Sequence, residues 1–427
     1  MRCSISIFLI ATALATEGED CEPAVDSDLD GWTVCATDQD PFSGVCDCDD
    51  SNAVIYPGAK ETNSKYDDDC DGAPEWTRYE DIGDFYYFYL RSPFIGADNL
   101  VVAVAESDGF FSYSEYGSLV NRWNVYTDYG TQCTTVVATS HDQLSYSSCG
   151  AVLAPDGNVD ICVASLNQQM NQASSWTWRG NVAQYSRKAL QMADGGLLLG
   201  GLITDNLGNH YDGPLVLKLV DDQLSWSRVG DAPFRLSVEA IAEARSGDVF
   251  VAGCKTLTSD GDYRPWAERL SPGGVLEREW VDWPELPIIP YGMLTPWDGD
   301  VVLYGTDEDG CFAVGRFTED LDPIWLWQSP DWDCLGVAVA GVETSTGDLA
   351  IAGSTGSYFG GWCGLFYLIN PSGELSAKST PCGRNRYTGI TQMPDGGFVL
   401  TGETNYHYGF IMRTDKYLNM PPQNVPQ

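Results

Sequence analysis

Five stretches of this chain align without gaps on two glycines six residues apart, and the pattern recurs about every 50 residues. They are MADGGLLLGGLI (192–203), ARSGDVFVAGCK (244–255), PWDGDVVLYGTD (296–307), STGDLAIAGST (345–355) and MPDGGFVLTGET (393–404). The first glycines stand at 195, 247, 299, 347 and 396, the second at 201, 253, 305, 353 and 402. A fixed period of this length marks a repeat architecture, in which each unit buries its apolar face only against its neighbours. The run between the glycines is strongly apolar and reads as a buried inner strand. An apolar stretch precedes it, such as VEAIAEA from Val238, LGVAVAGVE from Leu335 or YTGITQM from Tyr387, and pairs with it across the first glycine as a hairpin. A strand, a polar turn and a last strand follow, as in GPLVLKLVDDQLSWS from Gly213 or WAERLSPGGVLEREW from Trp266.

Each unit therefore holds four strands. Two weaker copies come earlier, ADNLVVAVAES (97–107) and AVLAPDGNVDICVAS (151–165), the latter with Val163 where the second glycine falls. Seven such units predict an all-β protein, a seven-bladed β-propeller over residues 75–420, in which repetition around an axis protects the sheet edges. Glu75 to Ile82 is expected to add a strand beside the last unit and close the ring. An open array of β-sandwiches is the competing architecture. The units resemble bacterial secreted propeller arrays whose blades read DGGxxxxG and then xxx[KR]xD. That resemblance spans most of residues 95–420 and implies a fold, not a function.

The formal charge of −38 excludes partners that need a basic face, namely nucleic acid and anionic membrane. From Glu17 to Asp84 there are 21 acidic and 3 basic residues, so nearly half the excess sits in a sixth of the chain. A solvated acidic linker is the bland reading, but the acids recur at ligand-like spacing with Gly and Cys between them. Residues 1–15, with an apolar run from Ile5 and a small-x-small site at Ala13-Leu14-Ala15, read as a secretory signal. No later stretch is apolar enough to span a membrane, and residues 421–427 form a polar tail. Fourteen cysteines fit an oxidising compartment, and the thirteen beyond the signal leave one thiol over. Zinc is the rival for the cysteine clusters, but their spacings are not paired knuckles.

Residues 16–74 form the candidate metal-binding module. Asp26, Asp28 and Asp30 occupy positions 1, 3 and 5 of an EF-type loop, Gly31 the turning position, and Trp32 the one that offers a carbonyl. Thr37 replaces the Glu of a full EF-hand, with Asp38 just beyond. Asp47, Asp49 and Asp50 follow in Cys46-Asp47-Cys48-Asp49-Asp50, then Glu61, then Asp67, Asp69 and Asp71 around Cys70. These motifs, in this order, resemble the bacterial Asp/Cys-rich metal-binding repeat named after a copper-binding surface protein of a methane-oxidising bacterium. The resemblance covers residues 26–72 and implies an extracellular, disulfide-stapled ion-binding module. It departs at Asn63, where the family has Cys, and at Ser64-Lys65, where it has Asp-Gly. A Cys48–Cys70 link is expected, with Cys35–Cys46 next. Cys133–Cys149, Cys311–Cys334 and Cys363–Cys382 are further expected staples, from proximity in sequence alone. The module contains neither His nor Met, so its oxygen-rich donors suit Ca²⁺, with Mg²⁺ possible and copper disfavoured. So small a module needs metal and disulfides to stabilise what its core cannot.

No catalytic motif stands out. The three histidines, His141, His210 and His407, are scattered, and the sequence lacks a nucleophile elbow, a His-Glu-x-x-His helix and a phosphate loop. Arg187, Lys188, Glu239, Tyr291, Arg384 and Tyr387 fall just before the apolar runs, where the units would meet over a central channel. They are the candidate ligand surface, against the reading that they are ordinary rim residues. Trp325, Trp332 and Trp362 are candidates for sugar stacking or, more commonly, for packing between units. The expected function is binding or adhesion at an extracellular protein or glycan. A secreted glycan hydrolase or lyase and a passive spacer are the alternatives.

Overall fold

The computed structural model describes residues 26–34, 46–57, 59, 67–70, 76–80, 90–95, 101–105, 109–114, 116–123, 132–140, 143–153, 159–166, 172–178, 183–204, 211–230, 235–256, 263–281, 288–329, 336–356, 362–380, 385–404 and 409–418. The candidate signal segment and the polar tail lie outside them. Among the described residues there is no helix; the body is built of strands. After β1 (Trp76–Glu80), the chain forms β2 (Leu90–Ile95), β3 (Val101–Ala105), β4 (Gly109–Tyr113) and β5 (Leu119–Trp123), the first sheet. The second holds β6 (Gln132–Ser140), β7 (Gln143–Leu153), β8 (Val159–Leu166) and β9 (Gln172–Trp178). The third holds β10 (Ala183–Gln191), β11 (Leu197–Thr204), β12 (Tyr211–Val220) and β13 (Gln223–Val229). The fourth holds β14 (Arg235–Glu243), β15 (Val249–Thr256), β16 (Tyr263–Leu270) and β17 (Leu276–Val281). The fifth holds β18 (Ile289–Leu294), β19 (Val301–Thr306), β20 (Phe312–Phe317) and β21 (Pro323–Gln328). The sixth holds β22 (Gly336–Glu343), β23 (Leu349–Gly356), β24 (Trp362–Ile369) and β25 (Leu375–Ser379). In the last, β26 (Asn385–Gln392), β27 (Phe398–Thr404) and β28 (Gly409–Thr414) are joined by β1, which pairs antiparallel with β28 from Trp76↔Arg413 to Glu80↔Gly409.

The first strand of each sheet touches the first strand of the next, in the cycle β2, β6, β10, β14, β18, β22, β26 and back to β2. The apolar run between the glycines is thus the second strand, one out from the innermost. It is apolar throughout because neighbouring sheets cover both its faces. Every residue of β19 and β20 is buried, whereas β21, outermost, alternates with solvent. Core clusters lie between sheets. Phe366 meets Phe398 edge to face at 5.1 Å between the sixth and last sheets. Val101 and Phe111 of the first sheet pack with Val399 and Ile411 of the last.

The two glycines of the repeat have different physical causes. The first five adopt left-handed backbone, φ +84° to +96°, in the turn after the innermost strand. The second answers a β-bulge. In the fourth sheet Val238 opposes Gly253 and Ala240 opposes Ala252, so Glu239 is the extra residue. The bulge drives the Ser237 carbonyl inward, and a Cβ on Gly253 would lie 1.9 Å from that oxygen. Gly305 faces Ile289 O at 2.0 Å, Gly353 faces Val337 O at 1.9 Å and Gly402 faces Arg386 O at 2.1 Å in the same way.

The second unit corrects the sequence alignment. Its Asp156-Gly157 pair falls between β7 and β8, the second and third strands, so Val163 sits on the third strand and no glycine is needed there. The third strand is also buried on both faces elsewhere in the body, so an apolar run could not tell the two apart.

The [KR] of the repeat also has a cause. It lies on the third strand and pairs with a carboxylate of the first turn. Lys218 Nζ lies 2.5 Å from Asp194 Oδ2, and Arg269 donates to Asp248 Oδ2 from Nε (2.9 Å) and Nη2 (2.5 Å). Arg316 reaches Asp298 and Asp300, and Arg413 reaches Asp395. Leu368 takes this position in the sixth sheet, opposite Ala350.

Candidate functional site

Three short segments make the module's acidic centre. Asp47 N–H donates to Thr33 O at 3.0 Å, and a parallel bridge Val34↔Asp47 lays residues 46–50 beside the Asp26–Val34 loop. The Cys48–Cys70 disulfide, with Cα atoms 5.6 Å apart, and a Tyr56 N–H···O Asp68 bond of 3.0 Å tie residues 67–70 to the same body. The expected Cys48–Cys70 link is therefore present.

Within the loop, Asp26 accepts the amides of Leu29 (2.7 Å) and Gly31 (3.1 Å), Asp28 that of Asp30 (3.3 Å), and Asp30 that of Trp32 (2.8 Å). Asp50 reaches across to the Ser27 amide at 3.0 Å. These bonds use one oxygen of Asp28 and one of Asp30. Their Oδ2 atoms are buried without a hydrogen-bond partner. Two sets of carboxylate oxygens converge, each within 4.8 Å: Asp26, Asp28 and Asp50, and Asp28, Asp30 and Asp47. Desolvation raises the Asp28 pKa, and repulsion from Asp30, Asp26 and Asp50 adds to it. Asp47, fully buried, is raised for the same reasons, with Asp30, Asp28 and Asp50 as its repelling neighbours. Orphaned buried oxygens among mutually repelling carboxylates fit a cation, which would satisfy the oxygens and reverse the repulsion. A third grouping, Asp47 with Cys48 and Cys70, is no ligand set, since both sulfurs are in the disulfide.

Of the other expected ligands, Asp49 turns its Oδ1 to Ser51 Oγ at 2.6 Å, and Trp32 enters through its amide. Asp67 and Asp69 sit on the strapped segment, Asp69 buried. Asp38, Glu61 and Asp71 lie outside the described residues. Cys46, Cys311 and Cys363 are each disulfide-bonded; their expected partners Cys35, Cys334 and Cys382 lie outside the described residues. Cys133 stands opposite Cys149 across β6 and β7, with side chains outside the described set. Cys254 is a free thiol, its pKa pushed up to about 12 by burial and by the neighbouring charge of Glu239.

On the body, the bulge organises the candidate ligand surface. Arg187, Glu239, Tyr291, Val339 and Thr388 are the extra residues of five innermost strands, each eight positions before the turn glycine. Their neighbours Val238, Ala338 and Tyr387 are wholly buried, while the bulge residues reach solvent in full or in part. Arg187 Nη1 meets Glu239 Oε1 at 3.3 Å across adjacent sheets, and Ser237 Oγ donates to the same oxygen at 2.6 Å. Tyr387 is a correction: it is fully buried against Phe410 and beside Gly364, and Thr388 holds the accessible position. The bulge shifts the register by one, which sequence spacing alone did not reveal. Ser237, Val339 and Thr388 were missed, although counting eight back from each turn glycine finds the last two. Lys188 lies inside the ladder, opposite Gly200, and Arg384 lies outside the described residues. Trp325 packs between sheets, its Nε1 donating to Pro371 O at 2.9 Å, while Trp332 and the Trp362 side chain lie outside the described set.

Residues 47–75 match a family model. It is that of the copper-binding MopE type, described as a "Putative metal-binding motif". The module thus carries a metal-binding motif whose ion the match does not fix. The body is similar to solved β-propellers. A streptogramin B lyase structure matches with a TM-score of 0.50 at 13% identity, covering 79% of this chain and 97% of that one. The Dos1 propeller matches at 0.50 and 10% identity, covering 81% and 82%. YCF48 bound to a D1 peptide matches at 0.50 and 9%, covering 83% and 97%. At such identities the likeness shows the fold alone, and the body is a β-propeller. No curated protein matches the chain. No helix among the described residues is long and apolar enough to cross a membrane.

Proposed function

We propose that this is a secreted or cell-surface protein in which a calcium-binding module precedes a seven-bladed propeller that binds an extracellular protein or glycan. The observation that carries the binding reading is the set of bulge side chains, turned out of the sheets on successive innermost strands. Seven four-stranded sheets whose first strands touch in a cycle support the blade number. Among the described bulge residues Glu239 is the one carboxylate, and Arg187 and Ser237 already engage it. Glycosidic hydrolysis needs two opposed carboxyl groups, so binding is favoured over the hydrolase reading. Calcium is favoured over copper because the converging donors are carboxylate oxygens and the nearby sulfurs are oxidised.

Two measurements test these readings. Calcium is expected to raise the melting temperature of the full chain in non-reducing buffer, and a chelator to reverse it. Asp28→Asn, which weakens both oxygen sets, is expected to lower calcium affinity by about tenfold or more, with loss of one converging charge. A melting temperature indifferent to chelation, or raised by Cu²⁺ and not Ca²⁺, overturns the calcium reading. Binding itself is tested on arrays of extracellular proteins and glycans with and without calcium; signal on neither kind defeats it.

A further inference from the structure

The outermost strand of the fifth sheet differs from the other strands at the rim of the body. β21 reads Pro-Ile-Trp-Leu-Trp-Gln and carries no charge. The outermost strands β1, β5, β13, β17 and β25 each carry Arg or Lys, and β9 has no aliphatic side chain larger than Ala173. Charged residues are the usual protection of an exposed edge. In β21, Trp325 and Trp327 pack inward on the core, while Ile324 and Leu326, on the opposite face, are 47% and 42% exposed. The strand ends its sheet and pairs on one side alone, with β20.

Its free side has main-chain groups to offer. Ser329 N–H donates to Phe312 O at 2.9 Å, and the register runs on through Val314↔Trp327 and Arg316↔Trp325. Bonded pairs alternate in an antiparallel ladder, so Trp325, Trp327 and Ser329 turn their main-chain groups to β20. Leu326 and Gln328 turn theirs outward, and no strand among the described residues lies there to receive them. An apolar, uncharged edge with unused donors and acceptors is a template for strand addition.

Charge decides what is added. Where β21 begins, Arg269 and Arg278 face Asp248, Glu277 and Asp320 at 2.5–3.6 Å, and the exposed Asp322 adjoins them. Four carboxylates thus stand against two arginines. A second copy of the chain would bring a further −38 to this end, whereas a basic segment is attracted to it. An antiparallel partner strand has its C-terminal end beside the start of β21.

We propose that β21 takes up an extended segment of a partner protein as a fifth, antiparallel strand, with apolar residues beside Ile324 and Leu326 and lysine or arginine following them at Asp322. This surface is separate from the bulge residues of the innermost strands, and the two readings fail separately.

Fluorescence anisotropy on the full chain, with a labelled peptide of alternating Val and Thr ending in two lysines, tests it. Binding is expected, and is expected to weaken at least about tenfold in Leu326→Pro, which removes one outward N–H and no ladder bond. Leu326→Lys keeps the ladder and adds a repelling charge; it is expected to act likewise, and serves if the proline variant does not fold. Leu224→Lys, at an exposed leucine of β13, is expected to bind as the parent does. The same peptide ending in two glutamates is expected not to bind. No binding of the lysine peptide, equal binding of the glutamate peptide, or binding untouched by the Leu326 variants overturns the proposal. A chain that is dimeric on size-exclusion chromatography and monomeric as Leu326→Lys also overturns it, since a second copy then takes the edge. Loss of binding in Glu239→Gln, with Leu326→Lys behaving as the parent, overturns it in favour of the bulge surface.

Discussion

Lys218 is a cation almost wholly removed from water, and what makes that tolerable is one carboxylate, Asp194, half exposed at the turn. The hydrogen bond from Lys218 holds the Asp194 carboxyl below its usual range, and its proximity as a charge and the Gly196 amide help. Because the folded pKa is the lower one, this contribution is complete above the unfolded value of about 3.9 and is lost as pH falls through the folded value. Asp194→Asn is therefore expected to destabilise by about 1–2 kcal/mol at pH 7, below the 3–5 kcal/mol typical of a fully buried pair because Asp194 is screened by solvent. The difference from the parent should shrink as the pH falls through the lowered pKa of Asp194, since both chains then lack the charge. A pH-independent difference would mean that shape, not charge, is what the pair supplies. At this scale the sequence was partly legible. The [KR] of the repeat was visible, but its partner was not, because the two lie 24 positions apart and only the hairpin register joins them. Asp28 and Asp30 were legible as candidate ligands from their spacing. Their convergence with Asp47 and Asp50 was not, since it depends on a bridge between Val34 and Asp47 that no local pattern announces.

The recurring innermost hairpin is the element that carries both stability and the candidate ligand surface. Its second glycine exists because a bulge on one strand pushes a carbonyl into the next, so the two features stand or fall together. Gly253→Ala is expected to cost at least about 2 kcal/mol, in the range of overpacked cores, since a methyl group there overlaps the Ser237 carbonyl. Circular dichroism melts check it. Gly310→Ala makes the contrast, with left-handed backbone but open space around its Cβ position, so its cost is backbone strain alone. Four strands per unit could be read from periodicity because burial changes systematically from the second strand to the fourth. The bulge could not, because it leaves no mark except the glycine opposite. The second unit, where Val163 was aligned one strand too far in, shows the limit: apolar runs on either side of an Asp-Gly turn look alike whichever pair of strands they are.

For the whole molecule, the last sheet is completed by a segment from far earlier in the chain. β1 supplies the outermost strand of the last sheet, and Arg78 Nε donates to Gly117 O at 2.7 Å in the first sheet, so one short strand bonds to both sides of the seam. Removing residues 1–80 is expected to lower the melting temperature and to promote aggregation, because β28 is left as an open edge. Arg78→Ala, which keeps the strand and loses the cross-seam bond, should lower the melting temperature by less and leave the protein monomeric on size-exclusion chromatography. Equal behaviour of the two variants would show that the strand pairing itself contributes little. A strand from Glu75 to Ile82 beside the last unit was expected and Trp76–Glu80 forms it, whereas the arginine's reach to the neighbouring sheet was not foreseen. The same arrangement sets an order of events in biosynthesis. β1 is made before the other strands of the body and its partner β28 after them, so it must wait, unpaired, until they have appeared. The longest-range pairing in the sheet system is then also the slowest to form, and any product cut short before Gly409 lacks the partner that β1 needs.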